Sequence, residues 1–212
     1  MAEEARIHPE AITAAPSWRR VAELADLTEI FDPGLQVCSW QREIDPDITV
    51  YLSGLDQTAE LQLIETFSPV AQPRLGRLPE GPGRASLVED LSLLSEIMCE
   101  LLGCSEAGLR LARMQRAMCP GWHIDRVGIR LVCTYQGPGT QWLDDQDVDR
   151  RDLQSDRMQM APFMQATPGE IVLLKGARWQ DNHAFGAIHR SPDPASSTAL
   201  RTLVTVDPLW RD

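Results

Sequence analysis

Lysine is almost missing from this chain of 212 residues: Lys175 is the only lysine, and the other basic residues are arginines. Acidic residues outnumber basic ones by 31 to 20, which gives a formal net charge of −11. Such a chain repels phosphate backbones and anionic lipid surfaces. We therefore expect neither nucleic acid nor a membrane among its partners. An acidic chain can still hold a locally positive pocket where single arginines converge.

Cysteine pairs, a secretion signal and long apolar runs are missing as well. The five cysteines form an odd set without a CxxC spacing, whereas secreted disulfide scaffolds have dense, even sets. The acidic beginning, residues 1–16, lacks the apolar core of a signal peptide. No stretch reaches the ~20 apolar residues of a membrane-spanning helix. These absences predict a cytoplasmic protein of bacterial type.

Helical periodicity dominates the first half of the chain. Apolar residues recur at helical spacing over 17–31, 56–67 and 86–102, which predicts three helices. The segment 68–84 is rich in proline and glycine and is predicted to be a loop. We expect residues 1–104 to form a helical N-terminal part that packs on a core built by the second half.

The second half of the chain alternates apolar and polar side chains, as half-buried strands do. A charged run at 144–157 is predicted to be a solvated loop or short helix. Short predicted strands separated by glycine and proline residues follow a predicted helical first half, and this order indicates an α+β fold. Its core, residues 105–212, is expected to be a double-stranded β-helix, that is, a jelly-roll or cupin-like barrel, with the N-terminal helices in the same compact domain. The predicted strands are 109–118, 127–135, 139–143, 167–176 and 197–208.

His123 and Asp125 form a candidate pair of metal ligands. In an extended chain, residues i and i+2 point to the same side, so an imidazole and a carboxylate at this spacing can share one ion. The HxD pattern is also common by chance. The alternative interpretation is a core histidine followed by an aspartate in a turn.

A third ligand and two arginines complete the candidate site. His189 lies where a barrel would return to its first strand, and two histidines with one carboxylate make the facial triad of non-haem Fe(II) enzymes. Arg201 lies in an apolar strand, where its charge requires a partner such as an anionic co-substrate. Arg130 alternates with apolar residues and is a second candidate for anion binding. His183 is the alternative third ligand, and we favour His189 because of its spacing to Arg201.

This ordered set resembles the 2-oxoglutarate/Fe(II) dioxygenase superfamily, and within it the prolyl-hydroxylase-like branch. The resemblance implies that Fe(II) is bound by His123, Asp125 and His189. It also implies that Arg201 holds the distal carboxylate of 2-oxoglutarate. The resemblance covers about residues 105–208, and the matching segments are GWHID at 121–125, PGEIVLL at 168–174, His189 followed by Pro192, and Arg201.

The segment 122–143, WHIDRVGIRLVCTYQGPGTQWL, together with the acidic run behind it, also resembles a bacterial domain family of unknown function, family 1826. That family often accompanies zinc-homeostasis genes, which implies a link to metal homeostasis. Family membership alone names no substrate.

The function expected from these features is a 2-oxoglutarate-dependent oxygenase that uses O2 to hydroxylate a small-molecule or peptide substrate. The first alternative is a non-oxidative, cupin-like protein that holds Zn(II) or another divalent ion at the same residues, since zinc readily occupies a His2Asp site. The second alternative is a partner-binding scaffold in which the triad is vestigial.

Overall fold

A computed structural model of the chain describes residues 15–56, 59–68, 73–153, 155–180, 182–183, 185–192 and 200–210. Several predictions therefore fall partly outside the described residues. The absence of a signal peptide and the start of the predicted N-terminal part concern residues 1–14, and the last predicted strand begins at 197–199. The predicted helix 56–67, the predicted loop 68–84 and the charged run 144–157 include residues 57–58, 69–72 and 154, which are not described.

Two β-sheets dominate the described part of the chain. The smaller sheet has three strands, and all of its pairings are antiparallel. In the larger sheet, β1 and β2 are parallel and the other pairs are antiparallel. The large sheet has the spatial order β1 (Trp18–Val21), β2 (Val37–Trp40), β8 (Ile171–Lys175), β5 (Ile129–Gln136), β10 (Arg201–Leu209), β4 (Glu106–Met114) and β3 (Leu61–Phe67), and the small sheet has the order β7 (Met164–Gln165), β6 (Gln141–Trp142) and β9 (His189–Arg190).

Three α-helices and two 3-10 helices accompany the sheets within the described residues. The longest, α2, ends at Gly103, which adopts the left-handed conformation that terminates helices. Asp90 of α2 accepts hydrogen bonds from Arg42 and from the Tyr135 hydroxyl, so polar contacts as well as apolar packing hold α2 to the sheet. The α-helices are α1 (Pro46–Gly54), α2 (Arg84–Leu102) and α3 (Asp156–Gln159), and the 3-10 helices are Leu24–Phe31 and Arg150–Asp152.

Apolar residues lie on both faces of the large sheet, but in different amounts. The face toward α1 and α2 contains the main core, which includes Leu131 of β5, Val204 of β10 and Leu91 of α2. The other face packs against the small sheet through a smaller cluster that includes Val132, Leu203 and Trp142. Because side chains alternate along a strand, β5 and β10 contribute to both clusters.

Two of the three predicted helices are wrong. Within 17–31, the structure has β1 followed by a 3-10 helix, because residues 18–21 pair with β2. Within 56–67 it has β3, which pairs along its length with β4. Leu63 is buried there and Ile64 is 70% exposed, so the pattern has period two. Only the third helix is confirmed, as α2.

The N-terminal part is therefore not a helical layer. Its strands β1, β2 and β3 belong to the same sheet as β4, β5, β8 and β10, so one sheet extends across residue 104. The fold is a mixed, sheet-rich α+β arrangement with few helices. None of the helices in the described ranges is long and apolar enough to span a membrane.

Candidate metal centre

The two histidines of the predicted triad lie side by side because their backbones pair. The amide of His123 donates to the carbonyl of His189 at 3.0 Å, and the amide of His189 donates to the carbonyl of His123 at 3.0 Å. His189 begins β9, which is held by β6. This isolated antiparallel bridge puts the two imidazole centroids 4.4 Å apart.

Asp125 completes the group two residues after His123. Its Oδ1 lies 3.6 Å from His123 Nε2, and its Oδ2 lies 3.6 Å from His189 Nε2. The three side chains offer ligand atoms that all lie within 4.8 Å of one another. Two donors about 2.1 Å from one ion and at right angles to each other are about 3 Å apart, so the two 3.6 Å separations are close to those of a metal-bound set.

Backbone carbonyls orient both imidazoles. His123 Nδ1 lies 2.9 Å from the carbonyl of Gly121, and His189 Nδ1 lies 3.0 Å from the carbonyl of Ala187. A carbonyl can only accept, so each Nδ1 carries the proton and each Nε2 keeps its lone pair. Ligating histidines in metalloproteins usually have such a second hydrogen bond. Both rings therefore present a free donor nitrogen to the space between them.

Burial keeps His189 in the ligating form. Its pKa is lowered to about 4, first by desolvation and then by the proximity of His123. The imidazole is therefore neutral at neutral pH, and its Nε2 lone pair is available without the loss of a proton.

Two positions behind the site, Gly176 and Gly186, have no room for a side chain because other parts of the chain approach them closely. A Cβ on Gly176 would meet the carbonyl oxygen of Val127 at 2.3 Å and that of Asp125 at 2.9 Å. Gly186 has φ +126°, and a Cβ there would meet Ile124 at 2.6 Å. The turns at these glycines let the chain after β8 pack directly against residues 124–127. The ligand-bearing segment is thus supported from behind.

Arg130 contacts the carboxylate of Asp125 directly. Its Nη1 donates to Asp125 Oδ2 at 2.6 Å, while its Nε and Nη2 donate to the two oxygens of Asp207, each at 2.8 Å. The bidentate pair with Asp207 fixes the guanidinium plane. Oδ2 of Asp125 is thus engaged by Arg130, whereas Oδ1 accepts no hydrogen bond from the described residues.

Arg130 was predicted as an anion-binding residue on the interior face. It does face the pocket, but the structure shows three of its N–H groups directed at two protein carboxylates. The sequence analysis missed Asp207 altogether. Asp207 is six residues after Arg201 and so lies on the same face of β10, but only the pairing of β10 with β5 brings it to Arg130.

Arg201 is a buried cation with neutral neighbours. Its guanidinium donates to the carbonyl of Pro138 at 2.9 Å and to the hydroxyls of Thr140, Ser191 and Thr134 at 3.0, 3.2 and 3.3 Å. It is 7% exposed, and within the described residues none of its hydrogen-bond partners is acidic. Burial lowers the pKa of Arg201 to about 10, so the group is still charged at neutral pH.

One cavity contains the triad and both arginines. It measures about 80 Å³, and Val132, Leu203 and Thr205 line its wall on the large sheet. The third ligand predicted as an alternative, His183, is exposed and does not belong to the clustered group.

The donor set fits a non-haem Fe(II) centre. Two imidazole nitrogens and one carboxylate oxygen supply three ligands and leave three positions of an octahedral ion open. A buried guanidinium without an acidic neighbour in the described structure, that of Arg201, lines the same cavity. This combination suits a ligand that bridges a metal and a cation.

Solved structures with a similar fold include proteins described as oxygenases. The 2-oxoglutarate complex of dioxygenase for auxin oxidation 1 from Arabidopsis thaliana aligns over 89% of this chain and 88% of its own, with 8% identity and a TM-score of 0.51. A protein of Shewanella oneidensis with the provisional description oxygenase aligns over 90% and 89%, with 12% identity and a TM-score of 0.51. A prolyl-4-hydroxylase from Pseudomonas putida aligns over 90% and 100%, with 11% identity and a TM-score of 0.49.

At these identities the likeness shows the fold alone, and that fold is the one of the 2-oxoglutarate dioxygenases. The family is shown by sequence. Residues 22–207 match the model of the family described as protein of unknown function, DUF1826, so the chain belongs to that family, as predicted. No curated protein matches the chain.

Proposed function

We propose that this protein is an Fe(II)- and 2-oxoglutarate-dependent oxygenase. The observation that carries the proposal is the presence, in one cavity, of a His2Asp group and a buried arginine whose partners in the described structure are all neutral. The reaction would couple hydroxylation of a C–H bond by O2 to the conversion of 2-oxoglutarate into succinate and CO2.

His123, His189 and Oδ1 of Asp125 would hold the metal. Bound Fe(II) supplies the chemistry of O2 activation, which no side chain of this protein can perform. With only three protein ligands, the metal would keep positions for the 2-oxo acid group and for O2. The two carbonyl-bound imidazoles and the arginine-bound carboxylate keep these ligands in place.

Arg201 would bind the distal carboxylate of 2-oxoglutarate. Its fork of N–H groups can grip both oxygens of a carboxylate, and the surrounding hydroxyls of Thr134, Thr140 and Ser191 can turn to donate as well. A buried cation is costly without a counter-ion, and the described residues supply none to Arg201, so binding of this anion would relieve an unfavourable charge. That difference would favour a dicarboxylate over a monocarboxylate.

We further infer that the two sheets are the two layers of a double-stranded β-helix. The apolar cluster formed by Val132, Leu203 and Trp142 lies between the large and small sheets and supports this arrangement. The metal ligands and the two arginines lie at one end of that interlayer space. In such a barrel the cavity at its mouth is the natural place for the reaction.

Anaerobic titration of metal-free protein with Fe(II) and 2-oxoglutarate tests the proposal. A weak visible metal-to-ligand absorption is expected only when both are present, because it requires chelation of the metal by the 2-oxo acid. On admission of O2, succinate should form even without a primary substrate, at a slow uncoupled rate. His123→Ala should abolish both signals.

A zinc-tight protein without the visible band and without succinate formation would overturn the proposal. That result would favour the non-oxidative alternative, in which the same ligands hold a divalent ion for binding alone. Elemental analysis of protein purified without added metal, before and after Fe(II) loading, completes the comparison.

A further inference from the structure

The floor of the metal cavity continues beyond it, across the large sheet. Thr205 of β10 lines the metal cavity, and its cross-strand neighbours are Val132 of β5 and Arg110 of β4. Arg110 in turn pairs with Ile64 of β3. Directly opposed residues have their side chains on the same face, about 5 Å apart. One row of side chains therefore runs from the metal centre to the outer strand.

A groove of about 420 Å³ opens on this extension. Arg110 and Ala112 of β4 line it, together with residues 116–118 of the segment that follows β4. Met118 lines both this groove and the metal cavity, so the two spaces adjoin. The small sheet does not cover this region, because Ile64 remains 70% exposed. A molecule bound in the groove could therefore extend to the metal.

The groove is positively charged in an otherwise acidic protein. Arg110, Arg113 and Arg116 line it, against one acidic residue, Glu60. A carboxylate oxygen of Glu60 already accepts the amide hydrogen of Gln115. Among the described residues, no carboxylate lies within salt-bridge distance of the three arginines.

One guanidinium group in the groove also has an unused donor. Nε of Arg110 is buried without a hydrogen-bond partner in the described structure. Arg113 is 3% exposed; its terminal nitrogens donate to the backbone carbonyls of Leu52 and Asp56 on the α1 side of the sheet, and the charge of Asp56 acts on it. The only side-chain partner shown for Arg110 is the weakly accepting sulfur of Met118, at 3.5 Å. Buried donors of this kind are normally satisfied by a ligand or by water.

We infer that this arginine groove is the binding site for an anionic group of the primary substrate, a carboxylate or a phosphate. Arg110 contacts the anion, Arg116 closes over it from the segment that follows β4, and Arg113 contributes its charge from below. Neighbouring strands are about 4.8 Å apart, so the anion on β4 lies about 10 Å from β5, where Arg130 holds the metal ligand Asp125. The oxidised C–H bond is therefore separated from the anionic group by several bonds.

This inference rests on the proposed oxygenase function, because only that function makes the bound anion part of a substrate. The anion site itself can be tested without turnover. Inorganic phosphate and acetate serve as separate probes of metal-free protein, and the arginine Nε–H resonances are followed by NMR. Arg178, an exposed arginine in a different cavity, provides the reference for non-specific binding. The variant Arg201→Gln removes the other anion-binding candidate.

We expect the Arg110 resonance to shift at a concentration at least about tenfold below that needed for Arg178, since a charged hydrogen-bonded contact contributes roughly that factor. The shift should persist in Arg201→Gln and should be lost in Arg110→Gln. Arg116→Gln should weaken it by about threefold, as expected for an exposed charge. Stronger binding of phosphate identifies a phosphorylated substrate, and stronger binding of acetate identifies a carboxylate.

Equal titration of Arg110 and Arg178, or a shift that disappears in Arg201→Gln, would overturn the arginine groove as a site. Either result leaves the proposed function intact, because that function is judged by the visible band and by succinate. Conversely, an anion site at Arg110 in a protein that forms no such band would separate anion binding from oxygenase chemistry. Circular dichroism of each variant checks that the fold is retained.

Discussion

The two faces of the large sheet carry opposite kinds of residues on the same strands. On β5, Leu131 enters the main core under α2 while Arg130, one residue earlier, faces the metal cavity. On β10, Val204 enters the core and Arg201 faces the cavity. The core face stabilises the fold by burial of apolar area. The cavity face holds buried charges close together, which costs desolvation free energy that the stability of the core face offsets.

Loss of a metal ligand should be the largest effect on the cavity face. We expect Asp125→Ala to weaken Fe(II) or Co(II) binding several hundredfold, because one of three donors is lost and the Arg130 cation beside the metal keeps only Asp207 as its counter-ion. The matched control is His183→Ala, on an exposed histidine outside the cluster, which should leave the affinity unchanged. Competition with a chelator of known affinity measures the metal affinity of both variants. A strong loss of affinity in His183→Ala would show that His183 is a metal ligand.

A cavity in the core face should affect the opposite property. Leu131→Ala should lower the free energy of unfolding by about 3 kcal/mol, as is typical for a fully buried leucine. Below its unfolding transition, the variant should bind metal with the affinity of the unaltered protein. Denaturant titration with parallel metal titration checks both, and a coupled loss of metal affinity would show that the two faces are not independent.

Arg201→Gln should separate co-substrate binding from metal binding. We expect the 2-oxoglutarate affinity to fall about a hundredfold, since a charged, bidentate contact is removed. Metal affinity should not change, because Arg201 contacts none of the three ligands. The 2-oxoglutarate affinity of Arg201→Lys should lie between that of the unaltered protein and that of Arg201→Gln, because lysine keeps the charge without the planar fork. Unchanged 2-oxoglutarate affinity in Arg201→Gln would exclude this arginine as the anchor.

The smallest of these effects is expected at Arg130, which acts on the metal through Asp125. Arg130→Gln should weaken metal binding about tenfold, in the range found for residues that orient a ligand. Asp207→Asn should have a similar or smaller effect, and the double variant should lose less than the sum, because both residues belong to one network. Additive losses would show that Asp207 does not act through Arg130. The d–d spectrum of bound Co(II) reports the change in ligand geometry.

The candidate site was more predictable than the first half of the fold. His123 and Asp125 are two residues apart, so a local rule sufficed to pair them, and His189 and Arg201 followed in the order that the family resemblance implies. The helix predicted at 56–67 failed because Leu61 and Ile64 satisfy a helical period as well as Leu61 and Leu63 satisfy a strand period. Pairing with β4 decided between them.

Long-range hydrogen bonds account for what was missed around the site. Asp207 was interpreted only as the end of a strand, and Arg130 as a free cation. Their contact joins residues 77 positions apart, and nothing in either local segment indicates it. The arginine groove likewise joins β4 with the segment that follows it, and depends on β3 being a strand at all.

The sequence by itself determined the candidate ligands and the candidate anion-binding arginine, because ligand types, their i, i+2 spacing and a lone arginine in an apolar strand are local properties. It also determined α2, through a long apolar stripe ended by glycine. Only the tertiary structure decided which oxygen of Asp125 is free, which cation keeps a neutral environment and which lies between two carboxylates. Those properties depend on strand register, and register arises from hydrogen bonds and packing between segments far apart in the chain.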